Sequence, residues 1–172
     1  EDLGDGAPLA NITINELYDV PSVAGKNIHW GSNYYFVRDE FLDAKPCEFS
    51  THAKGLLLVF GGTDPNDLTS KILLTINHIC SERSIPIHIV TGPGYRPFNE
   101  LRALVATMND VSLTHVTGVI SRIMEKTPLA ITSNGRTPYE MAHMNIPTVV
   151  ISQHKREMTH TFAQEKNGFM QL

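Results

Sequence analysis

The chain has 172 residues, 41% of them hydrophobic and 19% charged, with a net charge of −4. That size suits one domain, or one domain with a part of another, and the composition is that of a folded globular chain rather than a disordered or fibrous one. Lys and Arg are scattered without a basic stripe, which excludes bulk nucleic-acid binding and attraction to an anionic membrane, though a small anion held by backbone N–H groups needs no net positive charge.

Cys47 and Cys80 form neither a metal cluster nor a disulfide framework, and Cys80, at the end of an apolar helical pattern, reads as a small core residue. No apolar run reaches membrane-spanning length and no signal-peptide pattern opens the chain, so the expected compartment is a reducing cytoplasm. The sequence begins Glu1-Asp2-Leu3-Gly4 and stops at "NGFMQL" without a closing helix, which reads as a piece of something longer.

The first 50 residues lack strong periodicity. "ANITINELY" (10–18) contains a short buried-strand pattern and "SNYYFVRDEF" (32–41) reads as a second extended piece, with a Pro-, Gly-, Ser- and Asn-rich loop between them. From residue 55 the character changes. "GLLLVF" (55–60) is an unbroken apolar run, as in a parallel strand covered on both faces. "DPNDLTSKILLTINHIC" (64–80) places Leu68, Ile72, Leu73, Ile76 and Ile79 on one helical face, with Asp64 as cap and Pro65 at the first helical position.

Strand 85–92, helix 98–108, strand 111–118 and helix 119–126 follow. Strand 129–133, helix 137–144, strand 147–152 and a helical segment 157–167 complete the alternation. Short apolar strands alternating with helices through tight connections predict a doubly wound parallel α/β sheet. Ligands of such sheets sit beyond the carboxyl ends of the strands. The residues expected there are Gly61 to Asp64, Thr91 to Tyr95, His115 to Gly118, Ser133 to Thr137 and Ser152 to Arg156.

The loop Ser133-Asn134-Gly135-Arg136-Thr137 supports two readings. Thr137-Pro138-Tyr139-Glu140 fits a capping box, with Thr137 as cap and Glu140 bonding back. Ser133, Asn134 and Gly135 would instead bare N–H groups for a phosphate, with Glu140 accepting from a ribose diol. "GGTDPND" is equally a turn with an Asp cap or a second ligand loop. It lacks the GxGxxG spacing of a dinucleotide fingerprint and the Lys of a P-loop, so NAD and ATP are poor candidates. Of the eight His residues, His29, His52, His78, His88, His115 and His143 have no partners at metal-ligand spacing, and no zinc site is expected. His78 and His143 read as surface or packing residues, whereas His154 and His160 follow a strand's carboxyl end and are candidates for a cleft.

"LLVFGGTDPNDLTSKIL", "IVTGPGY", "VTGVISRIMEKTPLAITSNGRTPYEMAHMNIPTVVIS" and "QHKREMTHTFAQEKNGF" resemble the carboxyl-terminal half of GT-B nucleotide-sugar proteins. The nearest branch is the PseG/SpsG type, comprising UDP-sugar hydrolases of pseudaminic acid synthesis and proteins of spore coat polysaccharide synthesis; MurG-type UDP-GlcNAc transferases are a more distant match. The resemblance implies a remnant of the amino-terminal half and crossover over 1–50, and a Rossmann-like UDP-sugar-binding domain over 51–172. It also implies that Val119 and Ile120 face the uracil, Ser133, Asn134, Gly135, Arg136 and Thr137 the diphosphate, and Glu140 the ribose. Gly61, Gly62 and Thr63 would approach phosphate or sugar, and Gln153 and His154 the donor sugar.

The hydrolase family's general-base His belongs to a glycine-rich loop of the amino-terminal half, absent here. The resemblance therefore implies UDP or UDP-sugar binding without catalysis by this half alone, with no cofactor. Its implied partners are the amino-terminal domain and, in some fusions, a CMP-sugar synthetase (cytidylyltransferase). Two alternatives remain open: the donor-binding domain of a glycosyltransferase, and a non-catalytic module attached to such a synthetase.

Overall fold

The structure, a computed structural model, describes residues 2–172. Six strands form one parallel sheet: β3 (Leu56–Val59), β4 (Ile87–Thr91), β5 (Val111–His115), β6 (Ala130–Ser133), β7 (Thr148–Ile151) and β8 (Met170–Gln171), in the order β5-β4-β3-β6-β7-β8. From β3 the chain winds outward through β4 to β5. It then returns across the sheet to β6 and winds the other way, which is the doubly wound, Rossmann-like arrangement the alternation predicts.

The central strand explains its own sequence. All four residues of β3 are buried, because a parallel strand covered on both faces has no solvent side. Leu57 and Val59 join Phe41, Ile120, Met124, Met141 and Met144 on one face of the sheet. Leu56 and Leu58 join Leu73, Cys80, Ile87, Ile89 and Leu101 on the other, so side chains alternate across the sheet with period two. Helices α1 (Leu68–Glu82) and α2 (Phe98–Val105) supply the second cluster, and α3 (Ser121–Met124) and α4 (Thr137–His143) the first.

Several local expectations are corrected. Helix α1 starts three residues after Pro65, with Asp67 as its cap; Asp64 still accepts the N–H groups of Leu68 and Thr69 at 2.9 and 2.8 Å, from outside the helix. On α1, Leu73 is fully buried and Ile72 and Ile76 pack on the same cluster, as the hydrophobic pattern marks; Thr69 and Cys80 join the buried side, and Ile79 alone of the marked residues faces solvent. Residues 32–41 form no strand: two 3-10 turns, Ser32–Tyr34 and Asp39–Phe41, flank a stretch whose backbone is extended at Tyr35 and Arg38. The segment 157–167 likewise forms only the turns Glu157–Thr159 and Glu165–Asn167.

The first 50 residues are built onto this frame. β1 (Thr13–Asn15) pairs in parallel with β2 (Ile28–Trp30), a strand hidden in the stretch that reads as a polar loop. Leu17 and Tyr18 pack against Tyr139 of α4. Tyr35, Tyr139 and Phe162 form a stacked column with centroid spacings of 4.0 and 3.8 Å, and Phe41 is fully buried in the main core.

Candidate functional site

The order reverses between β3 and β6, so their loops diverge and leave a crevice at their carboxyl ends. On one bank lies the turn Gly61-Gly62. Gly61 has φ +74°, a conformation glycine adopts without strain, and a side chain there would point at Ser133 Oγ, 3.9 Å away on the other bank. The neighbouring loop Gly92-Pro93-Gly94 is pressed onto this turn, with Gly94 N–H donating to Gly62 O at 2.9 Å. A Cβ on Gly92 would come within 2.5 Å of Gly62 Cα. Gly92 and Gly94 therefore serve the packing of loop on loop, while Gly62, Gly118 and Gly135 border open space.

The β6–α4 loop is fastened from behind by one carboxylate. Glu157 is buried, and its Oε2 accepts from Asn134 N–H at 3.3 Å and Gln153 N–H at 2.7 Å. Asn134 Nδ2 donates to Glu157 O at 2.8 Å. His160, also buried, bonds Asn134 O through Nδ1, which must carry the proton because a carbonyl only accepts. Gln153 Nε2 donates to Phe60 O at 2.9 Å, tying the loop after β7 to the end of β3. These bonds gather Gly61, Gly62, Ser133, Asn134, Gln153 and His154 around one crevice. His160 serves there as a support of Asn134, and His154 is an exposed neighbour whose Nε2 lies 3.9 Å from Glu157 Oε1.

The capping box is not formed. Arg136, not Thr137, flanks the start of α4, and no side chain caps it. Among the described residues nothing accepts the N–H groups of Gly135, Arg136 and Thr137. Glu140 turns away from the helix start, and its Oε1 accepts from Arg38 Nε at 2.9 Å. Arg136 Nε bonds Glu16 Oε1 at 2.7 Å. These four residues, with Tyr35 and Phe36, line a cavity of about 160 Å³. That is smaller than the roughly 300–1,000 Å³ of a whole ligand pocket and suits one portion of a ligand. Another cavity, about 670 Å³, is lined by Thr63, Asp64, Asp67, Gly94 and Arg96 of the loops after β3 and β4.

Of the pair expected at a uracil, Val119 is exposed in the loop before α3, whereas Ile120 is buried in the core, so only Val119 offers its side chain to a ligand. Glu16, Arg38 and Glu157 are the contributors that sequence reading does not single out. Their only trace is charge set among apolar neighbours, as in "NELY" and "FVRDEF". Among the described residues no three His, Cys, Asp or Glu side chains converge to hold a metal ion.

Burial pushes the Glu140 carboxyl above its ordinary range, and the Arg38 guanidinium opposes that shift only in part. Burial likewise pushes the Tyr35 phenol up to about 12. An acid whose folded pKa is raised stabilises the fold below its ordinary pKa of 4.5 and loses that contribution as pH rises through the folded value. Thermal melts of the native chain and Glu140→Gln between pH 4 and 8 are therefore expected to diverge in one direction. The native chain loses ground to the variant as pH rises above about 4.5, and a difference that is constant or grows in its favour would contradict this assignment.

No family model matches the chain. Over 133 residues it is 29% identical to the uncharacterized protein MJ1062 of Methanocaldococcus jannaschii, covering 73% of this chain and 27% of that protein. It is 23% identical over 170 residues to the spore coat polysaccharide biosynthesis protein SpsG of Bacillus subtilis, covering 94% of this chain and 50% of SpsG. The chain thus spans half or less of the length of these curated relatives. The crystal structure of TarM is similar over 98% of this chain and 34% of its own, with a TM-score of 0.61 at 14% identity. That likeness is one of fold, and it agrees with the Rossmann-like architecture implied by the sequence resemblance. No helix is long and apolar enough to cross a membrane.

Proposed function

We propose that this chain is the nucleotide-binding half of a PseG/SpsG-type UDP-sugar hydrolase that serves nonulosonate or surface-polysaccharide synthesis. The observation that carries the reading is the crevice between β3 and β6. There the Gly61-Gly62 turn faces a loop whose Gly135, Arg136 and Thr137 N–H groups are open to an anion. A diphosphate would lie against that loop beside Arg136, the ribose against Glu140, and the base against Val119. The sugar would reach toward Thr63, Gln153 and His154.

In the intact enzyme, a water activated by the other half would attack the anomeric carbon. The bond to the diphosphate would break, with UDP leaving into a site prepared to hold its charge, a contribution typically worth about 3 kcal/mol. Residues 1–50 would carry the chain across from that other half, and two unpaired cysteines suit a reducing cytoplasm. The same nucleotide half would serve a transferase that replaces water with a sugar acceptor, so product analysis of the full-length protein tells the two apart.

Calorimetric titration with UDP, against CMP and ADP as controls, tests the site itself. UDP is expected to bind selectively. Gly135→Ala is expected to weaken it about tenfold while moving the melting temperature little, because the added methyl meets no protein atom within 4 Å. Equal binding of all three nucleotides, or a Gly135→Ala variant that binds UDP as the native chain does, would refute the placement.

A further inference from the structure

The ribose assignment leaves a difficulty that the surrounding residues resolve. A ribose diol donates hydroxyl protons and is held most strongly by an ionised carboxylate, yet Glu140 is 93% buried and burial disfavours its charge. Arg38 supplies the compensation. Its Nε donates to Glu140 Oε1 at 2.9 Å, its Nη1 lies 2.7 Å from Glu40 Oε1, and its guanidinium carbon is 5.5 Å from the centroid of the Phe41 ring. Glu40 in turn accepts the Ser121 N–H, the first of α3, through Oε2 at 2.9 Å. The guanidinium is thus held by one hydrogen bond to Glu140 and an ion-pair contact with Glu40 beside the Phe41 ring, and its bond occupies one oxygen of Glu140 while no donor among the described residues takes Oε2.

We propose that Arg38 is a positioning residue for nucleoside recognition, holding Glu140 so that its free oxygen faces the ribose and linking it through Glu40 to the start of α3 on the base side. This rests on the nucleotide reading above and extends it to a residue outside the Rossmann-like sheet. The charged or titratable groups facing Glu140 are Arg38 and Glu40 from the 38–41 turn, Tyr35 before it, Glu16 after β1, and Arg136 at the start of α4. Arg136 is already committed to Glu16 at 2.7 Å, which leaves Arg38 as the cation bonded to Glu140.

The test is the ratio of affinities for UDP and 2′-deoxy-UDP, measured by calorimetry at about pH 6, 7.5 and 9; ionisation of the phosphates is common to both ligands and cancels. The native chain is expected to prefer UDP about tenfold at every pH, the worth of one hydrogen bond to a charged group. In Arg38→Met that preference is expected to be weakest at the lowest pH and to recover toward the native ratio as pH rises, because burial raises the Glu140 carboxyl and the cation that opposed the rise is gone. Arg38→Lys, which keeps the charge, is expected to retain it throughout. A merely structural role would remove discrimination at every pH alike, and that result, or an unchanged ratio in Arg38→Met, overturns the proposal while leaving UDP binding intact. A native chain that binds UDP without preferring ribose overturns the ribose assignment and this proposal together. Arg38 is about half exposed in its side chain, so the substitution opens no core cavity; Arg38→Gln, expected to behave as the Met variant does, is the parallel check.

Discussion

Glu157→Ala is expected to lower stability by about 3 kcal/mol, since hydrogen bonds to a charged group contribute roughly 1.5–3 kcal/mol and a buried donor left unpaired adds its own cost. Glu157 is buried and holds two backbone donors at once, Asn134 N–H and Gln153 N–H, one from each of the loops after β6 and β7. For a chain of this length, the loss corresponds to a fall in melting temperature of roughly 6–12 °C. The functional effect is expected to be larger than the structural one. With its anchor removed, the Ser133–Thr137 loop no longer has a fixed shape, and UDP affinity should fall by tenfold or more even where the variant is fully folded. His154→Ala is the control: its ring is half exposed, lies 3.9 Å from the same carboxylate and accepts the Glu157 N–H through Nδ1 at 3.3 Å, contacts together expected to contribute about 1 kcal/mol. If the two variants melt alike, Glu157 is not the anchor described here.

The parts of this molecule legible in its sequence are those whose cause is local. A strand covered on both faces must be apolar at every position, and β3 declares itself through "LLLV". β2 and β8 have three and two residues, too few to show any period, and their pairing is decided by neighbours elsewhere in the chain. The segment 157–167 contains helix formers, but Glu157 turns inward to the 134 and 153 amides and His160 to Asn134 O. Tertiary bonds therefore override local propensity there.

The candidate site divides in the same way. Its small residues are visible because glycine next to a strand end has few other uses. The partners that fix its charged residues are not. Glu16 meets Arg136 across 120 positions and Arg38 meets Glu140 across 102, and no spacing rule in a single sequence reaches that far. The capping box failed for the same reason, since Glu140 found a cation in the opening segment in place of the backbone behind it.

Gly92→Ala and Gly62→Ala are expected to separate the two uses of glycine around the crevice. A methyl on Gly92 would lie 2.5 and 2.6 Å from the Cα and carbonyl oxygen of Gly62, and both obstacles are backbone, which cannot rotate aside. The loop must shift, so the cost is expected near the top of the usual 1–3 kcal/mol range for overpacking, read as a lower denaturant midpoint at unchanged slope. A methyl on Gly62 meets no atom within 4 Å, and its backbone is outside the left-handed region, so the stability change should be under about 0.5 kcal/mol. If Gly62 borders a nucleotide sugar, that methyl instead intrudes on the ligand, and UDP-sugar affinity should fall while the denaturation curve stays in place. Were Gly62→Ala to lose stability and keep affinity, the turn would be a packing element like Gly92, and the ligand would have to lie nearer the Thr63, Asp67 and Arg96 cavity.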